Sequence, residues 1–356
     1  MLPFFFVQTR SITSASGPLR YFPFAFSALA LLAGTACSQS VPVNAVQPAQ
    51  VAVVVNDDEP ASVEVGEFYL TARGIQAQNL VHVRIPGHPR RLDAAQFEQL
   101  KEQIDSHLTP EIQAVLMVWT APYAVECNAI TAAYTLGLDV GLCAKTCAPS
   151  KPSAYFNAPP GKLPGDYGLR LAMLLPVETV EAAKALIERG VLSGFRMPTA
   201  NAYYLTTSET ARNSRAQFFP ASGVVRQKKL TIVNEHANSI EGVKDIMIYQ
   251  TGMARVAKLE TLQFAPGALA DHLTSTGGDL LADQQMSSLR WLEAGATASY
   301  GSVTEPCNYW QKFPNSTVLL RQYLAGSTAI EAYWKSVAWP AQGVFIGEPL
   351  AAPYRH

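Results

Sequence analysis

Runs of apolar residues with the pattern of buried strands alternate along this chain with segments whose apolar positions recur every three or four residues. The first is Val51-Ala52-Val53-Val54-Val55, a β-branched run of the kind buried on both faces of a parallel sheet. A helix follows, with Val63, Val65, Phe68, Tyr69 and Ala72 on its apolar side and Gly74 at its stop. Leu80 to Ile85 predicts a strand. Phe97, Leu100, Ile104 and Leu108 predict a helix, and Ala114 to Thr120 a third strand. Gly137 to Gly168 is rich in Gly, Pro and Cys and predicts an irregular insertion at a subdomain boundary. Strands are expected again at Leu169–Leu175, Ala202–Thr206, Leu230–Asn234, Asp245–Gln250, Gly267–Ala270, Ala294–Val303 and Gly343–Gly347. Helices are expected at Glu178–Arg189, closed by Gly190, and at Ser208–Phe218, Val318–Leu324 and Thr328–Val337. The alternation predicts an α/β fold with a doubly wound, mainly parallel sheet, built as one large unit or as two packed subdomains at 51–165 and 166–356. Ligands of such sheets bind beyond the C-terminal strand ends.

The residues ahead of this pattern belong to another category. Arg10 and Arg20 precede a short apolar run from Tyr21 to Ala36 and then Cys37. A positive region, an apolar stretch too short to span a bilayer and small residues at Gly34 and Ala36 predict a signal peptide over 1–36. Two readings of its end stay open: lipidation of Cys37, giving a membrane-anchored lipoprotein, or plain cleavage after Ala36. Both predict an exported protein, periplasmic or membrane-anchored, whose membrane contact is the N-terminal lipid. Residues 37–50, polar and Pro-containing, predict a flexible tether. Among 356 residues only 15% are charged, against about 25% in ordinary domains. The net charge of -1 argues against a nucleic-acid partner, which normally needs a clustered basic face. In an oxidising compartment Cys127, Cys143, Cys147 and Cys307 predict disulfides, with Cys143 to Cys147 as the local pair and Cys127 to Cys307 as the remainder. Their spacing suits no zinc site, and no metal or cofactor is expected.

The densest chemistry lies in Asp271-His272-Leu273-Thr274-Ser275-Thr276-Gly277-Gly278, expected as a polar elbow between the strand ending at Ala270 and a following helix. A histidine titrates near neutral pH, hydroxyls follow within one turn, and paired glycines would expose backbone N–H groups ahead of a helix. His272, Asp271, Ser275 and Glu305 are therefore the catalytic candidates, and Thr251, Gly252, Thr274, Gly277 and Tyr300 the candidate ligand-binding residues. The competing reading is an ordered turn whose polar groups bond backbone. Asp57, Asp58 and Glu59 could hold a cation at the first strand end; helix capping is the alternative. Tyr300, Tyr309, Trp310 and Trp334 suggest an aromatic wall or core packing.

Two resemblances add to this reading. The blocks VVVND, RGI, VEC-x-AIT, IMIYQTG, ADHLTS-x-GG, GATASYG-x-V-x-EPCNYWQKFP, EAYWKSVAWP and GEPLA, from Val53 to Ala351, resemble an uncharacterised family of exported bacterial proteins with no assigned activity. The order Ile246 to Gly252, Gly267 to Thr276, Gly295 to Ala298, then Gly347-Glu348-Pro349, resembles the gingipain and caspase-like peptidases, and implies a caspase-like fold. Those peptidases carry a histidine where this chain has Thr251, and a cysteine that Ala270 to Gly278 lacks. The resemblance thus implies a non-peptidase domain binding a small-molecule or protein ligand at the strand-end cleft. A hydrolase with altered chemistry, in which His272 is base with Asp271 or Glu305 behind it, is the second reading; an envelope scaffold is the third.

Overall fold

The computed structural model describes residues 44–355 together with Gly17. Apart from Gly17, the expected signal peptide lies outside the described residues, as does Cys37. The Val51 run forms β1 (Val51–Asn56), buried throughout. Pro60 at the first helical turn and Gly74 in the left-handed region bound α1 (Pro60–Arg73). There follow β2 (Leu80–Val83), β3 (Arg91–Leu92), α2 (Ala94–Asp105), β4 (Ala114–Val118), β5 (Ala124–Val125), β6 (Asn128–Ala129) and α3 (Ile130–Leu136). Beyond the irregular insertion come β7 (Leu171–Leu174), α4 (Val180–Leu192), β8 (Ala200–Thr206), β9 (Gly223–Val225), β10 (Leu230–His236), β11 (Ile246–Thr251) and β12 (Phe264–His272). The chain closes with α5 (Leu289–Glu293), β13 (Ala298–Ser302), α6 (Ser316–Leu324), α7 (Ala329–Ser336) and β14 (Gly343–Gly347).

An 11-stranded sheet takes the order β2-β1-β4-β7-β14-β13-β12-β11-β8-β10-β9, beside a small β3-β5-β6 sheet. Pairing is parallel along β2-β1-β4-β7 and along β13-β12-β11-β8-β10. β14 runs antiparallel to β13 over five residue pairs and meets β7 at one pair, Ile346 with Leu174. Helix α3 fills the rest of that gap with hydroxyls. Thr131 Oγ1 donates to Gly343 O at 3.1 Å and accepts from Phe345 N at 3.4 Å, while Thr135 Oγ1 accepts from Ala172 N at 3.0 Å. The ladder groups that two diverging strands leave open are thus paired by side chains. The fold is the expected α/β class, and its sheet runs from the elements of 51–165 into those of 166–356 over one shared apolar core. Helices α1, α4 and α5 cover one face; α6 and α7 cover the other.

Local expectations fail where tertiary contacts override period. Ser208–Phe218 is not a helix but two 3₁₀ turns, Thr210–Asn213 and Ala216–Phe218. Asn213 there accepts from Thr207 N at 3.1 Å and donates to Thr207 O at 2.8 Å, a side-chain ring that competes with helical bonding. Gly190 does not close α4; it sits inside the helix because a Cβ there would lie 2.2 Å from Glu348 Oε2. Glu348 is fully buried, accepting from Tyr69 OH at 2.7 Å and Arg73 Nε at 2.8 Å. Residues 44–50 are also part of the folded domain, since Ala45 and Val46 are buried and Val46 N donates to buried Glu331 at 3.2 Å.

The four cysteines among the described residues form disulfides, but the pairing differs from the expected one. Cys127 bonds Cys143 and Cys147 bonds Cys307, each with Cα atoms 5.2 Å apart. Spatial proximity decides, and the two bonds pin the 137–168 insertion at both sides of Cys143–Cys147 to separate parts of the domain. Peptic digestion without reductant, read by mass spectrometry, is expected to yield peptides joining Cys127 to Cys143 and Cys147 to Cys307, with no Cys143–Cys147 loop.

Candidate functional site

Strand β12 runs two residues past Ala270, through Asp271 and His272, and this extension decides the site. Consecutive side chains of a strand point to opposite faces. Asp271 therefore enters the face under α7, and His272 enters the face under α5. The expected elbow begins only after His272, so these two cannot act on one substrate atom.

Asp271 is fully buried and pairs with the equally buried Arg215 from the segment after β8. Its other oxygen accepts from Gln250 Nε2 at 2.9 Å and from Tyr333 OH at 3.3 Å. The guanidinium also donates to Thr251 O at 2.8 Å, Asp271 O at 3.1 Å and Pro314 O at 3.4 Å. A charge pair removed from water needs many partners, because desolvation of each ion costs several kcal/mol; within this pair Arg215 Nε is left without one. Tyr300 lies on the same face, its hydroxyl donating to Lys312 O at 2.5 Å.

His272 has neither ring nitrogen free. Nε2 donates to Met286 O at 3.0 Å, and Nδ1 accepts from Trp291 Nε1 at 2.9 Å, so the neutral Nε2–H tautomer satisfies both neighbours. Burial pulls this imidazole from its ordinary 6.5 down to about 3; Arg215 and Arg212 add to that pull, while the bond to Met286 opposes it. An imidazole held neutral with its lone pair occupied cannot take up a proton near neutral pH. The expected acid–base couple of His272 with Asp271 or Glu305 is not assembled. Glu305 is exposed and accepts from Cys307 N at 2.7 Å. Ser275 is half-buried, with its carbonyl accepting from Ser302 Oγ at 3.1 Å.

The candidate ligand-binding residues meet at the rim, but close packing occupies them. Arg212 Nε donates to Thr274 Oγ1 at 3.2 Å, and Thr274 donates on to Gln285 Oε1 at 2.6 Å. Gln285 Oε1 also accepts from Thr276 N at 3.0 Å. Gly252 lies against the Arg212 carbonyl, where a Cβ would stand 2.0 Å from that oxygen. Thr251 is buried beside it. Gly277 and Gly278 serve close approach rather than an open anion nest. A Cβ on Gly278 would meet Gly301 O at 2.4 Å, its N–H is taken by Ser302 O at 2.9 Å, and turns rather than a helix follow. A cavity of about 370 Å³ opens just beyond, lined among others by Arg255, Leu280, Gln285, Met286 and Arg290. Sequence reasoning missed Arg212, Arg215 and Gln285. The signal available for Arg215 was a cation in a stretch otherwise read as an ordinary helix.

At the first strand end, Asp57, Asp58 and Glu59 pair with His82, Arg84 and His88 at 2.7, 3.0 and 3.1 Å. The aromatic residues also divide. Trp334 stacks on Phe345 at 4.3 Å and Trp310 packs on Phe218 at 4.5 Å, while Tyr309 is partly exposed.

Replacing Asp271 by Ala leaves the Arg215 charge buried without its carboxylate and is expected to cost ~3–5 kcal/mol in urea unfolding. His272 gives a pH signature. Its folded pKa lies below its unfolded one, so the neutral form's contribution is complete above pH 6.5 and is lost as pH falls toward 3. Unfolding free energies measured from pH 7 down to pH 4.5 should fall, with up to ~1.4 kcal/mol per pH unit from this group. His272→Gln, which can still accept from Trp291 and donate to Met286, should flatten that limb by one proton.

No family model matches the chain, and no curated protein sequence matches it. The chain is similar to a solved structure described as a protease, at TM-score 0.45 and 11% identity, covering 87% of this chain and 79% of that one. It is also similar to the Arg-specific cysteine proteinase gingipain R, at TM-score 0.43 and 12% identity over 88% of this chain and 80% of that one. A third likeness is to the complex of the RgpB pro- and mature domains of Porphyromonas gingivalis, at TM-score 0.42 and 12% identity over 85% and 79%.

Proposed function

We propose that this chain is an exported α/β domain that binds a small-molecule or protein ligand at the C-terminal strand ends and does not turn it over. The observation that carries this reading is the commitment of both ring nitrogens of His272 to Met286 and Trp291, on the face opposite Asp271. The chain's most concentrated polar segment is thereby spent on holding its own strands together. Two disulfides suit export to an oxidising compartment, and the signal peptide over 1–36, with a lipid on Cys37, is the proposed route. Among the described residues no helix is long and apolar enough to cross a membrane.

The ligand surface we assign is the cavity beyond Gln285. Its lining joins Leu280, Leu281 and Met286 to Arg255 and Arg290 and to the carboxylates of Glu178 and Asp283, with Arg290 paired to Glu178 at 3.9 Å. Such a lining fits a ligand with an apolar body and a polar end. Assayed against panels of fluorogenic peptides and esters, the oxidised protein is expected to show no turnover above the blank, and none that differs between wild type and His272→Ala. Hydrolysis abolished by His272→Ala would instead establish the hydrolase reading. In a thermal-shift screen, ligands that stabilise the wild type should lose that effect in Arg255→Ala.

A further inference from the structure

The opposite edge of the sheet, where β8, β10, β11 and β12 begin, has a different surface. Leu192 at the end of α4 and Phe195 in the loop to β8 are exposed to 53% and 73%. Val224, on the adjoining edge strand β9, is exposed to 64%. Around them stand Arg196, Arg226, Lys229 and Lys244, all exposed, and the half-buried Arg355. Among the described residues none of these five cations pairs with a carboxylate. The turns are held together by backbone bonds, Ala200 N to Lys229 O at 3.0 Å and Asn201 N to Asp245 O at 2.8 Å. A polar hollow of about 510 Å³ lies between them, lined by Arg196, Lys229 and one carboxylate, Asp245, among others. On a chain of net charge -1 this is a marked local excess of positive charge.

We propose that this edge is a membrane-contact surface for an anionic lipid bilayer. Phe195 and Leu192 enter the interface between headgroups and acyl chains, while Arg196, Lys229, Lys244 and Arg355 face the headgroups. An exposed aromatic at a loop tip within a ring of unpaired cations is the chemistry of interfacial binding, in which apolar burial and attraction to anionic lipid add. The place where the chain enters the domain favours a bilayer over a soluble acidic partner. Val46 and Pro48 line a small cavity together with Gly194 and Arg355, so the folded chain begins beside this loop. Residues 37–43 reach at most roughly 25 Å even when fully extended. A membrane anchor at the start of that stretch would hold this edge within reach of the bilayer. The contact does not depend on a lipid at Cys37, and it concerns a surface other than the ligand cavity proposed above.

The test is co-sedimentation of the full chain, as the cell processes it, with vesicles of phosphatidylcholine alone and with phosphatidylglycerol added. Three proteins share one N-terminus: wild type, Phe195→Ser, and Arg196→Glu with Lys229→Glu. All substituted positions are exposed, and circular dichroism verifies folding. An N-terminal lipid binds both vesicle types alike, so its absence shows as lost binding to neutral vesicles and leaves the proposal untouched. The contact surface predicts a preference for anionic vesicles of at least about tenfold that falls with salt and is lost in both variants. Equal binding to both vesicle types by the wild type, or a preference that survives both variants, overturns the proposal. A wild type that dimerises in sedimentation velocity, is monomeric as Phe195→Ser and shows no anionic preference overturns it too, and makes the edge an interface between copies.

Discussion

The buried pairing of Asp271 with Arg215 is the contact on which the C-terminal strand ends depend. It joins β12 to the segment after β8, and through Gln250, Tyr333 and the carbonyls of Thr251 and Pro314 it reaches β11, α7 and the approach to α6. Neither charge reaches solvent. A pair placed this deep is held by the number of its partners, and loss of one partner strands the other ion. Because β12 alternates, seating Asp271 in this network obliges His272 to point into the apolar layer beneath Trp291. Desolvation there keeps the imidazole neutral, and the Trp291 N–H occupies its lone pair. One strand thus buries a charge on one face and a neutral histidine on the other.

The same contact explains why the rim is filled. To deliver Arg215 to Asp271, the chain after β8 must cross the strand ends, and Asn213 closes that crossing on Thr207. The crossing brings the Arg212 carbonyl onto Gly252 and the Arg212 side chain onto Thr274. A side chain larger than hydrogen at Gly252, Gly278 or Gly301 has no room, because each position faces another backbone segment or a bound hydroxyl. Polar residues gathered at a strand end are often read as waiting for a ligand. Here most of their donors and acceptors are matched to one another, with Thr251 Oγ1 and Gln250 Oε1 as buried exceptions, and the open volume lies further out, over the turns from Leu280 to Arg290.

Much of the fold was legible in the sequence because burial on both sheet faces leaves a local mark. The runs at Val51, Ala114, Ile246 and Gly343 are strands close to the expected bounds, and Gly74 ends α1 as a left-handed glycine. The site was less legible because its determinants are not local. Period alone gave Ser208–Phe218 as a helix, since nothing near Arg215 in sequence announces an aspartate 56 residues away. Gly190 read as a helix stop, yet its lack of a side chain answers to Glu348, 158 residues further along (348 - 190). The cysteine pairing shows the same limit. Cys143 and Cys147 are neighbours in sequence, but each finds its partner on a different part of the folded chain. The one-residue question of where β12 ends had the largest effect, because it decides whether Asp271 and His272 share a side.

The two edges of the sheet differ in what they leave unmatched. At the C-terminal edge most polar groups pair internally, and the cations Arg212 and Arg215 both have carboxylates, Glu209 and Asp271. At the N-terminal edge the buried acids are used up by the core. Glu348 takes Arg73 and Tyr69, and Glu331 takes Val46 N and the hydroxyl of Thr328 at 2.7 Å. Those bonds fix where the chain enters and where it closes, while the loops around them keep surface cations that no carboxylate pairs. Internal matching at one edge produces a rigid support, and unmatched charge with exposed aromatic surface at the other produces a face suited to something outside the molecule. That asymmetry follows from where the acids fall in the sequence: Asp271, Glu331 and Glu348 all lie in or beside buried elements.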